Sequence, residues 1–364
     1  MRAALFLDGH DDLVVDEVEV AAPIGSEVLI HTAAAGLCHS DLHFMETEGW
    51  VVPRPIVLGH EAAGIVEAVG PDVREVQPGD HVICCLSVFC GRCDFCLSGQ
   101  PYLCVQSRVD CVRSEDQPAR LSRDGQEVNQ FANLSSFAEQ MLVHENAVVK
   151  VREEMPLDRA ALIGCGVTTG TGAVFRTAGV GPGSSVAVIG CGGVGMSSLQ
   201  AARIAGATTI IAVDLEPRKL DTALRLGATH AVNPADGDPV EQVMGLTGGG
   251  VDYSFEAIGL AITAQQAFGM IRRGGTATVM GMIPPGSKVE IEGQELFMSD
   301  KRLQGSLMGS NVFRVDMPRL VDLYLDGRLL LDEMVSATIG LDDVNDGFAA
   351  MKAGDVVRSV IAFD

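Results

Sequence analysis

The stretch SSVAVIGCGGVG, Ser184–Gly195, carries the fold. Its first half is a short apolar run and reads as a buried strand. Its second half, Gly190–Gly195, matches G-x-G-x-x-G and opens a small-residue segment, Val194 to Ala205, that reads as a helix. Strand, glycine turn and helix in that order make half of a dinucleotide-binding unit. With 42 glycines in the chain the pattern alone would be weak. Its context strengthens it. TTIIAVD, Thr208–Asp214, reads as a second buried strand, and its acidic end lies 19 positions after Gly195. A carboxylate about 20 residues on is where the adenosine ribose is held. Gly190 allows the tight turn, Gly192 lets backbone approach a pyrophosphate, and Gly195 lets helix and strand pack closely. Gly193 and Val194 lie where the turn enters the helix, whose free N–H groups face the phosphates. Asp214 would repel a 2′-phosphate, so NAD is expected over NADP. Arg218 and Lys219 could grip such a phosphate, and they equally fit a solvated helix face.

Outward from this unit the alternation continues. A helix is expected from Glu216 to Leu226. HAVN, VDYSFEAIG and GTATVMGM follow as strands separated by helix-length segments. That pattern implies a parallel sheet covered on both faces. After Gly309 the chain turns helical and ends in RSVIAFD, a plausible strand. The first 160 or so residues differ in texture. EVLIHTAAAG, AAGIVEAVG and DHVICCL are β-like runs broken by Gly and Pro, so a β-rich domain is expected there. Cys90 to about Gln130 reads as a long, irregular polar excursion.

Composition bounds the function. A chain of 364 residues suggests two domains. A net charge of −22 repels nucleic acid and anionic membranes. No run of about 18 apolar residues is free of charge or glycine, so no membrane span is expected. The N-terminus does not read as a signal peptide, which points to the cytoplasm, where thiols stay reduced. Cys90, Cys93, Cys96 and Cys104 space as C-x2-C-x2-C-x7-C. Four thiolates without histidine would close a tetrahedral zinc completely, a structural site. Cys84, Cys85, Cys111 and Cys191 read as buried thiols.

Other chemistry-bearing residues are scattered. GLCHSDLH, Gly36–His43, holds Cys38, His39, Ser40, Asp41 and His43. GHEAAG, Gly59–Gly64, holds His60 and Glu61. GCGVTTG, Gly164–Gly170, holds Cys165 and Thr169. Each is weak alone. Taken in order with the cysteine loop, the dinucleotide turn and the terminal strand, they resemble the zinc-dependent medium-chain alcohol dehydrogenases over essentially the whole chain. The resemblance implies an α/β protein: a doubly wound parallel Rossmann sheet inserted in a β-rich, partly open, barrel-like (GroES-like) catalytic domain. The expected boundaries are 1–166 plus 309–364 for the catalytic domain and 167–308 for the Rossmann domain.

The resemblance also implies roles. Cys38, His60 and Cys165 bind a catalytic zinc, which makes two zinc ions per chain. Glu61 lies beside the metal and ligates it transiently. Asp41 orients the ligand histidine. Zinc stabilises the alkoxide of the alcohol, hydride passes to the nicotinamide, and Ser40 with His43 relays the proton. His39 stands where relatives often carry arginine against the pyrophosphate. Arg358 matches a second phosphate contact and Thr169 a contact on the nicotinamide side; Lys219, from its charge beside Asp214, is a further cofactor candidate. Ile258, Met280 and Met282 match the nicotinamide cleft. Leu86 is smaller than the usual pocket aromatic, Phe131 matches a pocket aromatic with the smaller Ala132 beside it, and Trp50 lies in a loop that could flank a large substrate. The expected reaction is oxidation of a bulky aromatic or medium-chain primary alcohol. The alternatives are a thiol-dependent formaldehyde dehydrogenase, a nicotinoprotein with permanently held cofactor, and a non-catalytic binding protein. Arg108, Arg113, Arg120 and Arg123 are cations a thiol adduct could use, though acidic neighbours suggest a solvated mixed face. A homodimer is expected through the edge strand RLQGSL, with a tetramer as the alternative.

Overall fold

The computed structural model describes residues 1–46, 53–354 and 356–363. The chain forms two compact units. Unit 1 holds Met1–Cys165, Val312–Gly327 and Val335–Asp364; unit 2 holds Gly166–Asn311 and Arg328–Met334.

Unit 1 is β-rich. Its main sheet runs Val148–Lys150, His81–Cys84, Ala62–Val69, Glu27–Gly36, Arg358–Ala362 and Val335–Ile339, with Gln140–His144 also paired to the long strand Glu27–Gly36. A smaller sheet joins Asn129–Gln130, Ile56–Val57, Arg2–Phe6 and Val14–Glu17. Inward residues of both, among them Phe6, Ile30 and Ile361, share one apolar core with Leu58 and Phe137 from the adjoining loops. The alternation of Val28 and Ile30 inward with Leu29 and His31 half-exposed is what a strand with one buried face requires. The C-terminal strand Arg358–Ala362 pairs antiparallel with Ala34–Gly36, so the end of the chain supports the strand that leads to Cys38.

The excursion is more ordered than its composition suggests. It carries the short helices Asp94–Leu97, Pro101–Leu103 and Ser107–Asp110, then strands Leu121–Arg123 and Gln126–Glu127 that extend a small sheet with Glu19–Val20. The expected solvated mixed face is also overturned for two of its arginines. Arg113 and Arg120 are buried against Glu27, with Arg120 Nε 2.7 Å from its Oε1. Arg123 pairs with Asp16 instead.

Unit 2 is a six-stranded parallel sheet in the order His230–Val232, Thr209–Val213, Ser185–Ile189, Val251–Glu256, Ile271–Val279, Arg302–Gly305. Numbered by sequence this is 3-2-1-4-5-6, the doubly wound order. The order reverses between Ser185–Ile189 and Val251–Glu256, and a crevice at such a switch point is where ligands bind. One segment departs from the expected division. Arg328–Met334 lies with unit 2 because the buried Gln200 holds it: its amide accepts from Leu330 N at 2.7 Å and donates to Leu330 O at 3.0 Å.

Candidate functional site

Three unit 1 segments converge on one buried point. Strand Glu27–Gly36 ends just before Cys38, which precedes helix His39–Glu46. His60 and Glu61 follow Gly59, whose φ of +89° only glycine adopts at ease. Cys165 lies in a π-helical turn, Ile163–Val167, a conformation frequent at functional sites. Gly36 matters here: a Cβ on it would meet Glu61 Oε2 at 2.3 Å, so glycine lets the carboxylate approach.

The donor atoms of Cys38, His60 and Cys165 all lie within 4.8 Å of one another, and all three residues are buried. Asp41, fully buried, sits behind the histidine: its Oδ1 is 3.0 Å from His60 Nδ1 and accepts from Gly59 N at 3.1 Å. Nδ1 is thereby occupied, and His60 Nε2 has no hydrogen-bond partner among the described residues. A buried imidazole nitrogen without a hydrogen-bond partner beside two sulfurs fits a metal ligand. The thiol of Cys165 holds Cys38 well below the ordinary thiol range, against burial, and His60 adds to the effect. Cys165, as the donor of that bond, is itself held up. Burial alone would depress His60, but Asp41 and the Cys38 sulfur raise it well above the usual imidazole value. Two sulfurs and one nitrogen match the three-ligand donor set of a catalytic zinc, which keeps its fourth position for water or substrate.

Around this cluster, Ser40 Oγ lies 3.6 Å from Cys38 Sγ. His43 is half-buried one helical turn on, and His39 is exposed at the helix start. Arg358 is buried beside the cluster. It pairs with Glu61 Oε2 at 3.4 Å and donates to Leu37 O at 3.0 Å. Phe131 is buried, its ring 5.7 Å from that of His60. Phe44 meets Phe131 edge to face at 4.4 Å. Phe44 escaped the sequence reading; its only signal was an aromatic directly after His43. Leu86 and Ala132 are partly buried against the same core. Trp50 lies outside the described residues.

The second cluster joins Cys90, Cys93, Cys96 and Cys104. Sulfur separations are 3.5 Å for Cys93–Cys96, 3.8 Å for Cys93–Cys104 and 3.9 Å for Cys90–Cys96. Zn–S bonds of about 2.3 Å at tetrahedral angles put sulfurs roughly 3.8 Å apart, so the set fits a closed zinc. Backbone N–H groups point at the sulfurs, Cys90 N to Cys104 Sγ at 3.3 Å and Cys93 N to Cys90 Sγ at 3.4 Å. Burial raises Cys104, but the N–H groups of Cys90 and Ser107 outweigh it and bring the thiol down to about 6.

In unit 2 the glycine turn follows strand Ser185–Ile189 and opens helix Gly193–Ile204. A Cβ on Gly195 would stand 1.7 Å from Gly190 O, so no other residue fits. Asp214 is held by the turn: one oxygen accepts from Cys191 N at 2.7 Å, the other from Glu216 N at 2.9 Å. Lys219 is half-buried and Arg218 exposed on the next helix. Thr169 is buried, its hydroxyl 3.4 Å from Met308 Sδ. Ile258 is exposed, and Met280 and Met282 are half-buried at the carboxyl ends of the central strands.

Comparison with known proteins agrees with this architecture. Residues 25–153 match the alcohol dehydrogenase GroES-like domain, and residues 193–326 match the zinc-binding dehydrogenase domain. The chain is 38% identical to a class-3 alcohol dehydrogenase of Oryza sativa subsp. japonica, over 100% of this chain and 97% of the relative. It is 38% identical to S-(hydroxymethyl)glutathione dehydrogenase of Paracoccus denitrificans, over 100% and 99%. The crystal structure of benzyl alcohol dehydrogenase from Acinetobacter calcoaceticus superposes with a TM-score of 0.93 at 34% identity, over 100% and 99%. The chain belongs to the zinc-dependent medium-chain alcohol dehydrogenase family and is an oxidoreductase of that class.

Proposed function

We propose that this alcohol dehydrogenase uses NAD and interconverts bulky, aromatic or medium-chain primary alcohols with their aldehydes. One observation carries the reading: Cys38, His60 and Cys165, from three distant stretches, close on one buried point with Asp41 behind the histidine. Two thiolates and a neutral imidazole balance a doubly charged ion and leave a position for substrate. Zinc held there supplies a Lewis acid for the alcohol oxygen. NAD held at the glycine turn supplies the hydride acceptor. The protein's own groups do the remaining tasks. Asp41 fixes the tautomer that leaves His60 Nε2 free to ligate. Ser40 takes the hydroxyl proton and His43 passes it to water. Glu61 is a candidate transient ligand, with Arg358 as its counter-ion. Asp214, fixed by two backbone N–H groups, favours ribose hydroxyls over a 2′-phosphate.

The aromatic pair Phe44–Phe131 beside His60 supports a large apolar substrate, as does the 34% identity to a benzyl alcohol dehydrogenase. The second reading, oxidation of a hydroxymethyl adduct of a low-molecular-weight thiol, draws on the 38% identity to the Paracoccus relative. Against it, Arg113 and Arg120 are consumed by Glu27 and offer nothing to an adduct's carboxylates. A homodimer through the edge strand Arg302–Gly305 completes the proposal.

The test is a substrate panel on zinc-replete protein with NAD and NADP. Benzyl alcohol or geraniol should exceed ethanol in kcat/KM by about tenfold or more, with NAD preferred. Formaldehyde oxidation that appears only on adding glutathione or mycothiol would establish the second reading instead.

A further inference from the structure

We propose that Glu256, which no motif marks, is a positioning residue of the dinucleotide site. The proposal rests on the NAD reading above and assigns a further residue to it. Glu256 ends the central strand Val251–Glu256, opposite Ile189, the last residue before the glycine turn. Its side chain is completely buried. Three donors converge on one oxygen: Ile258 N at 2.8 Å, Gly259 N at 2.7 Å and Thr263 Oγ1 at 2.8 Å. Its backbone carbonyl takes two more, Met280 N at 2.9 Å and Gly281 N at 3.2 Å. One residue therefore holds both loops that follow the two strands beyond the switch point.

The consequence reaches the turn itself. A Cβ on Gly190 would meet Ile258 Cγ1 at 2.6 Å, so the Ile258 side chain lies directly on the first glycine. A Cβ on Gly281 would meet Gly259 N at 2.1 Å and Glu256 Oε2 at 2.7 Å, so the two loops touch where no side chain fits. Glu256 Oε2 has no hydrogen-bond partner among the described residues. A buried carboxylate with one bare oxygen is a destabilising choice, since polar groups in an interior cost free energy unless satisfied. Structure alone would be served better by a residue that leaves nothing bare. The arrangement makes sense if the acceptor is needed to hold Ile258 and Gly259 in the conformation that borders the cofactor crevice.

NADH fluorescence titration, with zinc content measured alongside, tests this on three variants. Glu256→Ala removes the acceptor, Glu256→Gln keeps a carbonyl oxygen in its place, and Thr263→Val removes one donor. Glu256→Ala should weaken NADH binding roughly tenfold, Thr263→Val by about threefold, and Glu256→Gln should return to within about threefold of wild type. In turnover, KM for NAD should rise while kcat at saturating NAD stays within about threefold, a split that general loss of fold would not produce. If wild-type protein binds NADH but Glu256→Ala binds equally well, the positioning role is wrong. It is also wrong if Glu256→Gln is as impaired as Glu256→Ala. If Glu256→Ala does not fold, an unchanged affinity in Thr263→Val refutes the role. Failure of the wild type to bind NADH would sink the NAD reading itself, and this role with it.

Discussion

Glu27 shows how much a single side chain can organise. It begins the long strand of unit 1, and its buried carboxylate accepts from Arg113, Arg120 and Ile24 N. The two guanidiniums spend their other donors on carbonyls: Arg113 on Ala22 and Pro118, Arg120 on Cys111. The excursion after the cysteine loop is thus tied to the strand that leads to Cys38. Burial raises Glu27, but the hydrogen bonds from both arginines outweigh it and hold the carboxyl below its ordinary 4.5. A folded-state value below the unfolded one adds stability above pH 4.5 and withdraws it as pH falls through the folded value. Glu27→Gln should therefore cost about 3 kcal/mol at pH 7, because two buried cations lose their counter-charge. Urea unfolding at pH 7 and at pH 3.5 (roughly a unit below the ordinary carboxyl value) should show that gap narrowing in acid. A gap equal at both values would mean the charge of Glu27 is not what matters.

Among the elements, the strand–turn–helix of Ser185–Ile204 was readable because its constraints are local. Buried parallel strands need continuous apolar runs, and the turn needs glycine where backbone meets backbone. The edge strand Arg302–Gly305 is local in the same way. It closes one side of the six-stranded sheet and is followed by Leu307, 58% exposed. An edge with unpaired backbone groups and an apolar neighbour invites a second copy. Light scattering should give about twice the 38.3 kDa chain mass for wild type. Leu307→Asp should shift the protein toward monomer at micromolar concentration. A wild-type mass of one chain would rule the homodimer out.

For the whole molecule, the proposed function divides the labour between the two cysteine-bearing clusters. The four-thiolate set leaves no position for substrate, whereas the Cys38–His60–Cys165 set does. Elemental analysis should find two zinc ions per chain. Cys93→Ser should lose about one zinc together with thermal stability, because a structural site contributes folding free energy. Cys165→Ser should lose activity by orders of magnitude with its fold intact. Fully active protein with one zinc per chain would overturn this division.

By itself, the sequence determined whatever depends on neighbours in the chain. The glycine turn, the Asp214 spacing, the alternation of strands and helices and the Cys90–Cys104 spacing all lie within a few dozen residues, so a pattern can express them. Resemblance alone joined Cys38, His60 and Cys165, and it placed Arg358 toward phosphate without foreseeing its ion pair with Glu61. Only the tertiary structure turned Arg113 and Arg120 inward to Glu27, returned Arg328–Met334 to the parallel-sheet unit through Gln200, set Phe44 against Phe131, and gave Glu256 its loops to hold. The physical reason is common to these cases. A surface arginine and a buried one have the same local sequence, and what separates them is a partner that the fold brings from far along the chain.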